Sequence, residues 1–292
     1  MVTARSNTSS STSSAATGTQ ALHRAVTLLR LITAHNRPGA GFRLVDLYRR
    51  SGIERPTAHR ILQGMVAERL VLQDSQTKRY YLGPLLYEMG LAAAPKPALH
   101  DICRPYLQAV AERTGDTVFM ILRSGFDGVC VARIDGGFPI KAHVLDVGCH
   151  RPLNVGAGGL VLLSALPNED VDRICRINVE RTQRKNPRYS EAALRDAIAA
   201  ARRRGYTINK VMDIPPVLSV GVVVRYPDGM PAAGISVSTL ASRLCKDRIG
   251  MVVQCLRDAA ASIESDLAKL TQQREKSEDN GGLFEADDVD AA

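Results

Sequence analysis

Apolar and polar positions between Arg43 and Leu82 predict a helix, a turn, a second helix and a hairpin, in that order. Leu44 and Leu47 give a short helix an inward face, and Ser51-Gly52 breaks it. Pro56 stands where the next helix can begin, because the N–H that proline lacks would be unpaired there anyway. That helix runs to about Ala67. At about 100° per residue from Pro56, Ala58, Ile61, Leu62, Met65 and Val66 fall on one side. Arg60 and Gln63 fall opposite, with His59 and Thr57 on the flanks. One face can pack while the other offers donors that reach base edges or phosphates. Val71-Leu72 and Tyr80-Tyr81-Leu82 then bracket DSQTK, whose end at Lys78-Arg79 makes a basic-tipped wing. A helical hairpin with a solvated basic face is the bland reading of any one of these features. Their succession predicts a winged helix-turn-helix that binds DNA.

Upstream, Leu22, Ala25, Val26, Leu29 and Ile32 form one helical stripe, ended by Asn36-Arg37-Pro38-Gly39. Before it, NTSSSTSSAATGTQ is low in complexity, and residues 1–19 are expected to be a disordered lead. The winged unit spans 20–83, and 84–100 is read as a linker helix over LLYEMGLAAA with a hinge at APKP. A second domain, 101–270, opens with the helix DICRPYLQAVAERTG. Two strand-like runs follow, TVFMILRSG and GVCVARIDG, with KAHVLDVGC a candidate third. A glycine-rich loop, NVGAGG, leads into the apolar helix LVLLSAL, and residues 168–204 look helical around the charged loop RTQRKNPRYS. VGVVVRYPDGMPAAGISVST is the clearest hairpin, turning at Pro-Asp-Gly. The last helix, about Lys246 to Leu270, carries Ile249, Val252, Val253, Leu256, Ala260 and Ile263, and residues 271–292 are expected to be a disordered acidic tail. Strands flanked by helices and partly antiparallel argue an α+β domain, not a doubly wound parallel sheet.

Charge sharpens this picture more than composition does. The net formal charge is +8, and residues 20–91 hold eleven Lys/Arg against five Asp/Glu, whereas 277–292 hold six acids and no base. A basic head suits a polyanion, and the acidic end a solvated tail. Aromatic content of 4% without Trp supplies poor stacking platforms for single strands. The six cysteines are scattered without a C-x-x-C, which argues against a disulfide framework. Residues 1–20 have no apolar run, and no stretch reaches the roughly 18 apolar residues of a membrane span, so no membrane partner and a cytoplasmic location are expected.

Several motifs invite chemistry. Gly156, Gly158 and Gly159 do not complete a dinucleotide fingerprint, because Val161 follows where a third glycine belongs. A glycine-rich turn before a helix can still offer N–H groups to a small anion, or be only a tight turn. Cys149-His150 with His143 lacks ordered metal spacing, and neither G-x-S-x-G nor H-E-x-x-H occurs, so no metal, cofactor or catalytic residue is assigned. Ser236 and Ser238 share one face of a strand, as a satisfied structural pair or as ligand hydrogen-bonders.

These pieces together resemble an IclR-family transcriptional regulator over roughly residues 20–270. The likeness rests on ALHRAVTLLRLI, RPTAHRILQGMV and RYYLGPLLYEMG in the first domain. In the second it rests on RPYLQAVAERTGDTVFM, HRPLNVGAGGLVLLSALP, RGYTIN and GISVSTLASRL. The resemblance implies an N-terminal winged helix-turn-helix, a linker helix and a GAF-like effector-binding domain. It also implies homodimers or tetramers that repress or activate transcription in response to a small acidic or aromatic metabolite. It places an effector pocket at the loop Ala157-Gly158-Gly159, at Asn209, near Ser219, and at Ser236 and Ser238. Asn209-Lys210-Val211-Met212 departs from the family's acidic run, and Gly159-Leu160 from its usual Gly-Lys. On the DNA side Thr57, His59, Arg60 and Gln63 are expected to enter the major groove, Arg60 reading guanine and Gln63 adenine. Arg49, Arg50 and Arg55 would anchor phosphates, and Lys78 and Arg79 would meet the backbone or minor groove. A dimer implies a palindromic operator duplex. Two alternatives stay open: an enzyme that transforms its metabolite and uses the head as a tether, and a sequence-indifferent architectural DNA binder.

Overall fold

The computed structural model describes residues 11–33, 41–93, 99–210 and 216–281, with side chains described from Thr19 to Gln273. The chain divides into two compact units, Met1–Pro95 and Lys96–Ala292.

In the first unit α1 (Ser11–Thr33), α2 (Leu44–Ser51) and α3 (Arg55–Ala67) surround one small core, and β1 (Val71–Gln73) pairs antiparallel with β2 (Tyr80–Leu82). Gly52 ends α2 in the left-handed region (φ 68°), returning its N–H to the Tyr48 carbonyl. Leu28, Ile32, Phe42, Leu47, Ala58, Leu62, Met65, Val71 and Tyr80 are the buried set. The stripe expected on α1 is partly corrected. Leu28 and Ile32 face the core with Ala25 and Leu29 beside them, while Leu22 (66% exposed) and Val26 (38%) do not. The apolar arc of α1 is wider than three short helices can cover, so its outer row stays in solvent. Helix α4 (Pro84–Ala93) follows the wing and buries no residue.

Helices overlap both ends expected to be disordered. Helix α1 already begins at Ser11, and only residues 1–10 of the lead lie outside the described residues. The last helix, α9 (Lys246–Gly281), likewise runs past Leu270, leaving 282–292 outside. Extending a formed helix costs little, and neither Pro nor Gly interrupts 251–280. The expected break at Asn36–Gly39 and the APKP hinge lie outside the described residues.

The second unit is a six-stranded antiparallel sheet ordered β5-β4-β3-β8-β7-β6. Its strands are β3 (Thr117–Ser124), β4 (Asp127–Ile134), β5 (His150–Pro152), β6 (Thr207–Lys210), β7 (Val217–Arg225) and β8 (Pro231–Leu240). Strand alternation sends Val118, Met120, Val220, Val222, Ile235 and Val237 to one face, under α5 (Leu99–Thr114) and α9. Phe119, Ile121 and Cys130 go to the other, under α6 (Ala157–Ala165), α7 (Asn168–Gln183) and α8 (Glu191–Arg204). KAHVLDVGC is not a strand. Residues 141–149 form a loop, turning at Gly148 (φ 83°), and the edge pairing falls to His150–Pro152. Arg151 donates to the Val144 carbonyl, so a side chain satisfies a group that a ladder would have used, while Lys141 reaches back to the Gly136 carbonyl.

Helix α6 lies unusually close to the sheet. A Cβ on Gly234 of β8 would stand 2.1 Å from the Gly158 carbonyl oxygen, and one on Gly159 2.7 Å from that of Leu153. Gly234→Ala is therefore expected to cost about 2–3 kcal/mol by overpacking against backbone. Gly250→Ala, on α9 with open space around it, should instead stabilise by up to about 1 kcal/mol. Urea unfolding of the two variants checks the contrast.

Cys103 and Cys130 are fully buried, and desolvation pushes their thiols up to about 12 from an ordinary 9.0. The folded chain then holds two protons that the unfolded chain releases. This contribution to stability is complete below about pH 9 and is lost as pH rises toward 12. In the native protein at pH 8 a thiol reagent should label exposed Cys245 first and leave Cys103 and Cys130 untouched until unfolding.

Candidate functional site

Pro56 falls in the first turn of α3, which buries Ala58, Leu62 and Met65 and half-buries Ile61 and Val66. The opposite face is open: Arg55, His59, Arg60 and Gln63 are exposed, and Thr57 is half-buried. Gln63 donates to Gln73 of the wing at 3.5 Å, a long bond that leaves the amide available. Arg49 and Arg50 are exposed at the end of α2, with Arg50 stacked over the Phe42 ring at 5.2 Å.

The wing turn is built on Asp74. Its carboxylate accepts from the Thr77 N–H (2.6 Å), the Thr77 hydroxyl (2.7 Å) and the Gln76 N–H (3.1 Å), and these donors hold its pKa below the usual carboxylate range. Lys78 adopts φ 56° and points into solvent. Arg79 behaves differently from its neighbour. It is half-buried, and its guanidinium donates to the Gly41 carbonyl, tying the wing to the segment that also pairs Phe42 with Tyr80. Arg43, which sequence reasoning did not single out, lines a shallow groove with His59, Gln73, Thr77 and Lys78. Its signal was its place directly before α2 in a basic stretch.

In the second unit one cavity of about 200 Å³ gathers all seven residues assigned to the pocket: Ala157, Gly158, Gly159, Asn209, Ser219, Ser236 and Ser238. Strand register explains the grouping. Ser238 lies opposite Ser219 and Ser219 opposite Asn209, so the three form one row across β8, β7 and β6. The two serine hydroxyls are 2.6 Å apart, and all three serines are buried. Ser238 is thus bonded to Ser219 rather than to Ser236, and both serines of β8 line the cavity. Thr117 extends the row on β3, but its buried hydroxyl has no partner.

Ala157-Gly158-Gly159 is not a loop before the helix, as expected, but its first turn; Gly156 (φ 84°) makes the bend. The glycines serve close packing. Thr207 of β6, a strand missed in the sequence, anchors this turn by donating to the Ala157 carbonyl at 2.9 Å. The first intrahelical bond is Leu160 N–H to the Gly156 carbonyl. The N–H groups of residues 157–159 thus lack a helical acceptor at the cavity, and no side chain caps them.

Phe119, Ile121, Val144, Leu145 and Leu194 make the rest largely carbon-walled, with Arg151, Lys210, Asn154 and Tyr189 as further polar members. No Asp or Glu is among the lining residues. His143 pairs with Asp135 at 2.9 Å, and among the described residues no cluster of three His, Cys, Asp or Glu could hold a metal ion. No helix among the described residues is long and apolar enough to cross a membrane.

Comparison with known proteins agrees with both halves. The family profile described as IclR helix-turn-helix domain matches residues 21–75, and that of Bacterial transcriptional regulator IclR C-terminal matches 92–265. The transcriptional regulator BhcR of Paracoccus denitrificans is 26% identical over 86% of this chain and 88% of its own length. The transcriptional repressor AllR of Escherichia coli is 23% identical over 86% and 91%. Among solved structures, an IclR transcriptional regulator from Alicyclobacillus acidocaldarius aligns with TM-score 0.70 at 22% identity, over 85% of this chain and 98% of that one. An IclR homolog from Microbacterium hydrocarbonoxydans, solved with 4-hydroxybenzoate, aligns with TM-score 0.68 at 21% identity, over 85% and 99%. These relatives are regulators and repressors and give the enzyme alternative no support. With a DNA-binding head and an effector-binding second domain, this chain belongs to the IclR family of transcriptional regulators.

Proposed function

We propose that this regulator binds a palindromic operator in the cytoplasm as a homodimer or a pair of dimers, and that a small organic or aromatic acid in the cavity changes its operator affinity. The lining of the cavity carries the acid reading. Unpaired N–H groups at the start of α6, three serine hydroxyls and the cations Arg151 and Lys210 surround a space without a carboxylate. Such a site favours an anion. At about 200 Å³ it is smaller than the roughly 300–1,000 Å³ of drug-sized sites, so one ring or a short chain suits it. The bound 4-hydroxybenzoate of the Microbacterium homolog is of this class.

Exposed apolar side chains in the first unit favour self-association: Leu22 and Val26 on α1, and Tyr87, Met89 and Leu91 on α4. A two-fold dimer would set two α3 helices about 34 Å apart, or a multiple of it, and so require a palindrome. On that duplex His59, Arg60, Gln63 and Thr57 meet bases. Arg49, Arg50, Arg55, Lys78 and Arg43 meet phosphates. Arg79 contributes mainly by fixing the wing.

Operator binding tests the first half. Against a duplex selected from a random pool, Arg60→Ala should cost about 1–3 kcal/mol and relax preference at one base; equal weakening on all sequences would make Arg60 a phosphate contact. Lys78→Ala should lower the salt dependence of binding by about one unit, and an unchanged slope would remove the wing tip from the footprint. For the second half, calorimetry with a panel of carboxylic acids should show binding that Ser238→Ala weakens about tenfold to a hundredfold. Undiminished affinity would place the ligand elsewhere.

A further inference from the structure

Two of the six cysteines meet at one edge of the sheet. Strands β4 and β5 pair Val129 with His150, and one step along the ladder Cys130 donates its N–H to the Cys149 carbonyl at 3.0 Å. The Cys130 carbonyl accepts from the Gly148 N–H at 2.7 Å, so Gly148 and Cys149 together stand opposite Cys130. That is a bulge with glycine in its first position, and Gly148 has the left-handed φ of 83° that such a bulge requires. The turn feeding it closes through the Cys149 N–H on the Asp146 carbonyl at 3.1 Å, and Arg133 of β4 holds the Asp146 carboxylate at 2.7 Å. Residues opposed across an antiparallel ladder turn their side chains to the same face, here the face of Phe119 and Ile121. Cys130 is fully buried there and Cys149 is half-buried. Burial first, and the nearby Cys149 second, push the Cys130 thiol up to about 12.

A single buried cysteine is an ordinary small hydrophobe. An opposed pair has a second chemistry. Opposed side chains hold their Cβ atoms about 4.5–5.5 Å apart, and a disulfide needs about 3.5–4.5 Å, so a shift of roughly 1 Å in the turn closes the gap. We propose that Cys130 and Cys149 form a reversible disulfide, made when a hydroperoxide oxidises Cys149, that staples the 141–149 loop to β4. The Cys149 sulfur attacks the terminal peroxide oxygen, the O–O bond breaks, and the thiol proton leaves with the other oxygen as an alcohol or water. Cys149 is then a sulfenic acid. The Cys130 sulfur attacks it, the S–O bond breaks, and hydroxide leaves with the Cys130 proton as water. Two thiols are oxidised to one disulfide and one peroxide is reduced. Cys149 meets the oxidant because it is the partly exposed member, whereas Cys130 needs only to reach its neighbour. In a reducing compartment such a bond is transient and responsive rather than structural. Val144 and Leu145 of the stapled loop line the cavity, as do Gly128 and Arg151, each two residues from a cysteine of the pair. Oxidation therefore fixes one wall of the cavity, whatever the cavity binds.

The test treats the folded full chain with hydrogen peroxide, blocks remaining thiols with iodoacetamide and maps tryptic peptides by mass. Peptide 124–133 should appear joined to peptide 142–173, two hydrogens lighter than their sum, and a thiol reductant should separate them. Hydrogen exchange of the 142–149 amides should slow about tenfold on oxidation and recover on reduction. In Cys149→Ser the joined peptide should vanish and Cys130 should stay a thiol. In Cys130→Ala, Cys149 should stop at the sulfenic or sulfinic acid, and Cys149→Ser alone serves if that variant does not melt cooperatively. The proposal is overturned if both cysteines of the unaltered protein are recovered alkylated after peroxide. It is equally overturned if Cys149 is over-oxidised without a link or joins a cysteine other than Cys130. A joined peptide with unchanged exchange over 142–149 overturns the staple. None of these readouts uses a ligand, so failure of the acid reading and failure of the disulfide are told apart.

Discussion

The second unit depends on how closely α6 can approach its sheet. The Gly158 carbonyl lies where a side chain on Gly234 would begin, and the Leu153 carbonyl lies almost as close to Gly159. Without a Cβ at these places the helix settles against β7 and β8, and its first turn opens on the strand surface rather than on solvent. A cavity follows, because the same strands carry small hydroxyl side chains where the helix no longer reaches. Ser236 stands beside Gly158, and a Cβ there would lie 3.3 Å from its hydroxyl. The glycines that look like part of a phosphate loop are thus packing residues first. Any anion affinity comes from the helix terminus they place, not from their own flexibility.

Strand β8 connects this cavity to the rest of the unit by simple alternation. Ile235 and Val237 point into the core under α5 and α9, while Ser236 and Ser238 point into the cavity. The next residue, Thr239, leaves the core side and donates to buried Asp116 at 2.7 Å. Asp116 also accepts from Arg243 (3.1 Å) and from Arg248 at the start of α9 (2.7 Å). Two arginines on one carboxylate, each about a quarter exposed, balance burial against solvation. One short stretch of chain therefore faces the cavity on one side and is held, through Asp116, to α9 on the other. Displacement at Ser238 cannot be absorbed locally without disturbing Thr239.

What the sequence made legible followed strong periodicity. The amphipathic α3 and the hairpin around Pro-Asp-Gly have enough repeats to define a face, and the structure places those faces inward. Weaker signals failed where tertiary context decides. KAHVLDVGC alternates like a strand, yet Gly148 and the reach of Lys141 and Arg151 make it a loop. Strand β6 is only Thr207–Lys210, too short to announce itself, and exists because β7 offers it an edge. Along α1 the apolar arc is real, but which row is buried depends on the size of a core that one helix cannot reveal.

The energetic demand on the cavity is modest. A ligand alters operator affinity only through its differential affinity for the arrangements that do and do not bind DNA. Allosteric couplings are typically about 1–3 kcal/mol, and a hydrogen bond to a charged group is worth about 1.5–3 kcal/mol. One charged contact at the α6 terminus, made well in one arrangement and poorly in the other, therefore suffices. Large rearrangement of the apolar core is not needed, and close packing under α5 and α9 would resist it. Under the proposed acid site, the economical place for the difference is the row Asn209, Ser219 and Ser238, where small hydroxyls and an amide can exchange partners at little steric cost. Ser219 and Ser238 bond each other at 2.6 Å, and the hydroxyl that accepts in this pair keeps its own proton to donate to a carboxylate. The strand bearing Ser238 is the one whose next residue is fastened to α9.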